Sequence, residues 1–159
     1  MTDTYIWKHI KERFYEMSRK EFNKETQEWE TVEFPYFIKD DDGKIENVVE
    51  PNVTLERPSD DLWFEIFPLH SMPRQQELGT AGRNRWVFGL QININCSRTG
   101  GYGTDDIDEA YDFIAGCFKR GDIFDGIRVL RTAYRSSARL LDDYYSVPVT
   151  VMVQADLDN

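Results

Sequence analysis

Histidine and cysteine are scarce in this 159-residue chain, two of each, and the scarcity removes several chemistries at once. His9 and His70 stand in no HxH, HExxH or Cys-His context, so a zinc site or a histidine general base lacks its usual setting. Cys96 and Cys117 form no CxxC knuckle and no disulfide framework, and read as small core or near-core thiols. Cations are short as well: 19 Lys and Arg against 29 Asp and Glu leave a formal net charge of -10. That balance argues against broad duplex DNA binding, which draws its affinity from cations neutralising phosphates. The acidity serves either solubility or a wall past which DNA moves without sticking. No window approaches the roughly 18 apolar residues of a membrane span, and no basic start leads into an apolar run. On composition alone a cytosolic protein is expected.

Nucleotide and hydrolase motifs are missing too. Gly100-Gly101-Tyr102-Gly103 precedes a helical pattern, but the GxxxxGK[ST] spacing is absent and Asp105 and Asp106 would meet a phosphate with like charge. No serine sits in a GxSxG context. The acidic groups Asp40 to Asp42, Asp60 and Asp61, Asp105 and Asp106, and Asp142 and Asp143 lack EF-hand spacing, and solvated turns and helix caps account for them. The reading is therefore non-enzymatic, with no catalytic set, cofactor site or metal site.

What the chain has is patterned secondary structure and 14% aromatic residues to fill one core. Ile6, Ile10, Phe14 and Met17 fall at helical spacing within Thr4 to Arg19. Residues 21–44 are highly charged, carry Trp29, Phe34, Tyr36 and Phe37, and end in the turn signal Asp40-Asp41-Asp42-Gly43. They predict an inserted arm or hairpin, which is either a surface insertion or packs on something such as a neighbouring subunit. Asn52 to Arg57 and Leu62 to Phe67 read as an antiparallel pair, and His70 to Arg83 as a long loop. From Arg85 to Asn95 large apolar residues occupy even positions while Gln91, Asn93 and Asn95 point the other way, a sheet with one dry and one polar face.

Thr104 is placed to cap a second helix, with Ile107, Ala110, Tyr111, Ile114, Cys117 and Phe118 as its apolar stripe and Lys119, Arg120 and Gly121 as its cationic end and stop. Ile127 and Val129 predict a short strand, and Val147, Val149, Val151 and Val153 a closing one in which Pro148 belongs at a strand start or sheet edge. The sum is a single α+β domain over residues 1–159. Its expected core is a mainly antiparallel sheet of about four to five strands with two helices packed on one face.

The order of these elements resembles the bacteriophage tail terminator-like family. The resemblance is carried by Pro51-Asn52-Val53-Thr54-Leu55-Glu56-Arg57-Pro58, Leu62-Trp63-Phe64-Glu65-Ile66, Gly89-Leu90-Gln91-Ile92-Asn93-Ile94 and the run from Tyr145 to Ala155. The insertion at 21–44 departs from the shorter connection of that family. The resemblance implies a structural virion protein, assembled in the host cytoplasm and located at the head-proximal end of the tail. There it would form a ring, usually hexameric, that stops tail tube growth and offers a head-tail joining surface. Its partners would be other copies of itself, the tail tube protein and a head-completion or connector protein, with DNA passing through unbound and no membrane involved. Another neck or head-completion adaptor of the same virion is the alternative. Candidate interface residues are Arg74, Arg83, Arg85, Arg135 and Arg139, since arginine suits bidentate ion pairs between subunits, together with Trp29 and Tyr36 of the arm. Scattered solubilising charge is the other reading of the arginines.

Overall fold

The computed structural model describes residues 2–51, 61–70, 74–75, 83–141 and 143–158. Helix α1 (Thr2–Tyr15) buries Ile6, Ile10 and Phe14, the predicted stripe, and Met17 follows it into the core just past the helix end. The chain then turns into a two-stranded hairpin, β1 (Ser18–Asn23) and β2 (Glu28–Glu33). Asn23 starts its turn by accepting the Glu25 and Thr26 amides on Oδ1 at 2.9 and 3.3 Å. The arm expected at 21–44 is thus a hairpin followed by a packed segment in which Phe34 is buried. The Asp40-Gly43 turn forms as read: Asp40 Oδ1 accepts from the Asp42 and Lys44 amides, and Gly43 takes a φ of 81° that favours glycine.

The remaining strands build one sheet: β3 (Val48–Val49), β4 (Leu62–Leu69), β5 (Arg74–Gln75), β6 (Arg83–Ser97), β7 (Ile123–Phe124), β8 (Ile127–Arg135), β9 (Arg139–Leu140) and β10 (Tyr144–Asp158). The order is β3-β4-β6-β10-β8-β7, with β5 added beside β6 and β9 beside β10. Helix α2 (Thr104–Cys117) crosses between β6 and β7. Core residues of β4, β6, β8 and β10 lie on one face, with α1, α2 and Phe34 packed over them in one apolar cluster.

The expected α+β fold with a four- to five-strand sheet is overturned. The described chain is mostly β, 49% strand, around a curled mixed sheet of eight strands in which β3 pairs with β4 in parallel. Four of the strands are only two residues long, too short to carry any alternation, while β6 and β10 run for 15 residues each and naturally twist and curl. The predicted strand Asn52 to Arg57 lies outside the described residues, and the expected long loop 70–83 contains β5.

Two local expectations also change. Pro148 sits inside central strand β10, opposite Asn93, rather than at an edge. It is tolerated because its nitrogen faces the gap where β8 has ended and β9 has not begun, the side on which its carbonyl accepts only from Ser136 N–H at 2.8 Å. Helix α2 takes Gly103, not Thr104, as its N-cap residue, and the Asp106 carboxylate accepts the Gly103 amide at 2.8 Å. Its last turn holds no cation of its own. Arg13 of α1 fills that role from a distance, donating Nε–H to the Cys117 carbonyl at 3.1 Å while lying over the Phe124 ring.

Candidate assembly surfaces

The register divides the sheet into an inner face under the helices and an outer face. Across the outer face Arg131, Met152, Gly89 and Leu69 form one row, and Tyr134, Thr150, Gln91 and Phe67 the next. Among the described residues both helices pack on the inner side, yet the outer face is not open throughout, since Trp63, Asn95, Ser97 and Ser146 on it are almost fully buried. Its middle is polar and internally tied: Asn95 Nδ2 donates to Glu65 Oε1 at 2.7 Å and Gln91 Nε2 to Asn93 Oδ1 at 2.9 Å. Gly89 is where the strand lets neighbours close in; a Cβ there would stand 2.9 Å from Leu69 Cβ and 3.0 Å from Met152 Sδ.

The hairpin presents the second surface. Phe22 and Trp29 face each other across β1 and β2 with ring centroids 5.5 Å apart, and Trp29 is 68% exposed. A two-stranded hairpin this solvated is marginal by itself, and a large exposed indole is costly to leave in water.

The predicted interface residues separate into engaged and exposed groups. Arg85 pairs with Asp156, its Nε 3.0 Å from Oδ1. Arg135 bonds Asp108 and lies over the Tyr111 ring. Tyr36 ties the arm to α2, donating to Glu109 Oε2 at 2.7 Å beside Asp106 at 3.3 Å, and burial together with those two carboxylates pushes its phenol well above the usual range. Arg139 and Trp29 stand exposed, as do Arg128 and Arg131 of the same arginine cluster. The backbone of Arg74 pairs with Arg85 and that of Arg83 with Asp158, but the Arg74 and Arg83 side chains lie outside the described residues.

No three His, Cys, Asp or Glu side chains converge as metal ligands among the described residues, and none of their helices is long and apolar enough to cross a membrane. An open groove of about 510 Å³ is lined by Tyr15, Lys39, Lys44, Ile45, Val48 and Glu50. At its wall Glu50 accepts from Lys11 Nζ at 2.9 Å and from Tyr15 Oη at 2.8 Å. Burial raises the Glu50 pKa, but the two hydrogen bonds and the Lys11 charge outweigh it and hold the carboxyl below its ordinary value. A lowered folded pKa means stabilisation that is present above the unfolded carboxyl pKa and disappears as pH falls through the folded one. Glu50→Gln should therefore cost at most about 1 kcal/mol at neutral pH and nothing once the pH has fallen through the lowered folded pKa and the wild-type carboxyl is protonated. Urea titrations at a series of pH values measure this, and a pH-independent difference would contradict it.

No protein-family profile matches the chain, and no curated protein matches it either. One solved structure is similar at a TM-score of 0.47 and 18% identity, over 71% of this chain and 79% of that one, a likeness that carries no argument.

Proposed function

We propose that this chain is a structural virion protein, a tail terminator that assembles into a ring at the head-proximal end of a phage tail tube. The ring stops tube polymerisation and offers the head-completion or connector protein its joining surface. The observation that supports this reading is the solvated Phe22-Trp29 hairpin, an exposed aromatic pair of the kind that subunit contacts cover. The order of elements in the sequence supports the same assignment, and the net charge of -10 suits a channel from which DNA must slip freely.

Purified protein, alone and with tail tube protein, is examined by native mass spectrometry and negative-stain imaging. Rings seated on tube ends, with tubes that no longer lengthen, are expected. Persistent monomers without affinity for tubes would overturn the proposal, and rings that bind connector but never tube ends would move the protein to a neck adaptor role.

A further inference from the structure

Charge is segregated between β8 and α2. From Ile127 to Leu141 the chain carries four arginines, Arg128, Arg131, Arg135 and Arg139, and no acidic residue. Helix α2 carries five acidic residues, Asp105, Asp106, Asp108, Glu109 and Asp112, and neither lysine nor arginine. Where the two elements meet they already pair, Arg135 with Asp108. Other cations find carboxylates within the chain as well: Lys11 with Glu50, Arg13 with Asp122, Arg19 with Glu21, Lys39 with Glu33 and Arg85 with Asp156. Among the described residues Arg128 and Arg131 find none, although acidic residues outnumber cations 29 to 19. Asp105 and Asp112 are left over in the same way.

These leftover charges stand on opposite sides of the molecule. Arg128 and Arg131 are exposed beside Gln154 and Met152, the outer-face positions of β10 that alternate with buried Val151, Val153 and Ala155. The Arg131 guanidinium rests over the exposed Tyr134 ring, 5.4 Å from its centroid, along the same margin. Helix α2 buries Ile107, Ala110, Phe113 and Ile114, so Asp105, Asp108, Glu109 and Asp112 form an exposed stripe that faces away from the sheet on its inner side. One chain cannot bring its own stripe to its own margin. Margin on margin would set arginines against arginines, and stripe on stripe carboxylates against carboxylates. Margin on stripe joins unlike charges, and it leaves each copy one margin and one stripe for the next, a head-to-tail contact. The spacings are compatible: Asp105 and Asp112 lie about 10 Å apart along the helix, and Arg128 and Arg131 flank a two-residue interval of β10, about 7 Å, with long side chains to make up the difference.

We infer that the β8 margin of the outer face receives α2 of a second copy of this chain, with Arg128 and Arg131 facing Asp105 and Asp112. The inference deepens the proposed function and rests on its self-association, not on the tail tube. Such a contact repeats from copy to copy and closes into a ring when the rotation per subunit divides a full turn. It also neutralises arginines that would otherwise hold DNA by its phosphates.

Arg128→Glu with Arg131→Glu reverses the margin, and Asp105→Lys with Asp112→Lys reverses the stripe. All four residues are exposed, so each variant should keep the wild-type circular dichroism. In sedimentation velocity each double variant should associate at least about tenfold more weakly than wild type, whose own association should weaken as salt is raised. The quadruple variant, in which glutamates meet lysines, should regain assembly. Double variants that assemble like wild type, or a folded quadruple variant that stays monomeric, overturn the docking while leaving wild-type rings and the terminator reading in place. Rings that persist in the arginine variant but no longer seat on tube ends overturn it too, and give the margin to the tail tube protein. A wild-type chain that is monomeric at every concentration overturns both docking and terminator reading.

Discussion

Phe34→Ala should lower the unfolding free energy by about 3–5 kcal/mol. Phe34 is the residue through which the hairpin is fastened to the rest of the protein. Its ring lies 4.7 Å from that of Phe37, 5.1 Å from Phe113 of α2 and 5.5 Å from Phe64 of β4, measured between centroids. Its amide donates to the Met17 carbonyl at 3.1 Å, closing the base of the hairpin. Truncation leaves a cavity bordered by three rings that sit on three separate elements, which have little freedom to collapse into it. The contrast is Phe22→Ala, an exposed ring at the hairpin's far end, which should change stability by less than about 0.5 kcal/mol. Urea unfolding reads both, and hydrogen exchange at β1 and β2 should quicken in the Phe34 variant. Equal, small losses in the two variants would mean that the hairpin is not anchored through this ring.

Much of this anchoring was legible in the sequence, and the part that was not has physical causes. The α1 stripe follows from spacing, because Ile6, Ile10 and Phe14 repeat at four and a 14-residue helix samples that period several times. The alternation in β6 and β10 was equally plain. Phe113 was passed over although it lies three residues after Ala110 and is as buried as its neighbours; the helical period itself contained that signal. The two-residue strands β3, β5, β7 and β9 held no such signal, since no period can be sampled in two positions, and with them went the true size of the sheet.

The candidate surfaces divide in the same way. Trp29 stood out as an aromatic residue in a charged arm, and its exposure is visible only in the structure. The arginines were visible as a cluster, but only pairing across the sheet distinguishes Arg85 and Arg135, each held by an aspartate of its own chain, from Arg131, which projects beside Met152. Sequence density reports how much charge is present, whereas strand register determines the face on which it stands.

Asn47→Ala should be as damaging as the loss of Phe34, although nothing in the acidic stretch around it marks the residue. Asn47 is 0% exposed and holds three segments together with one amide. Its Oδ1 accepts the Ile38 amide at 2.8 Å, and its Nδ2 donates to the Tyr36 carbonyl at 2.8 Å and to the Leu62 carbonyl at 3.2 Å. Its own carbonyl accepts the Phe64 amide at 2.9 Å, which brings the chain alongside β4. Alanine leaves one amide and two carbonyls short of a partner; at about 1–3 kcal/mol for each buried group left unpaired, partly relieved by relaxation, a loss of about 3–5 kcal/mol is expected. Asn47→Asp sharpens the test. The shape is kept, but the ionised side chain points an oxygen at the two carbonyls where a donor is required, so burial and repulsion raise its folded pKa above the unfolded value near 3.9. Protonated, the carboxyl can still donate to one of them. A raised carboxyl pKa in the folded state makes the penalty smallest below the unfolded pKa and larger as pH climbs through the folded one. The aspartate variant should therefore lose stability relative to wild type with rising pH while the alanine variant's deficit stays level. Parallel deficits across the pH range would place the origin of the effect in side-chain volume instead of in the two donated hydrogen bonds.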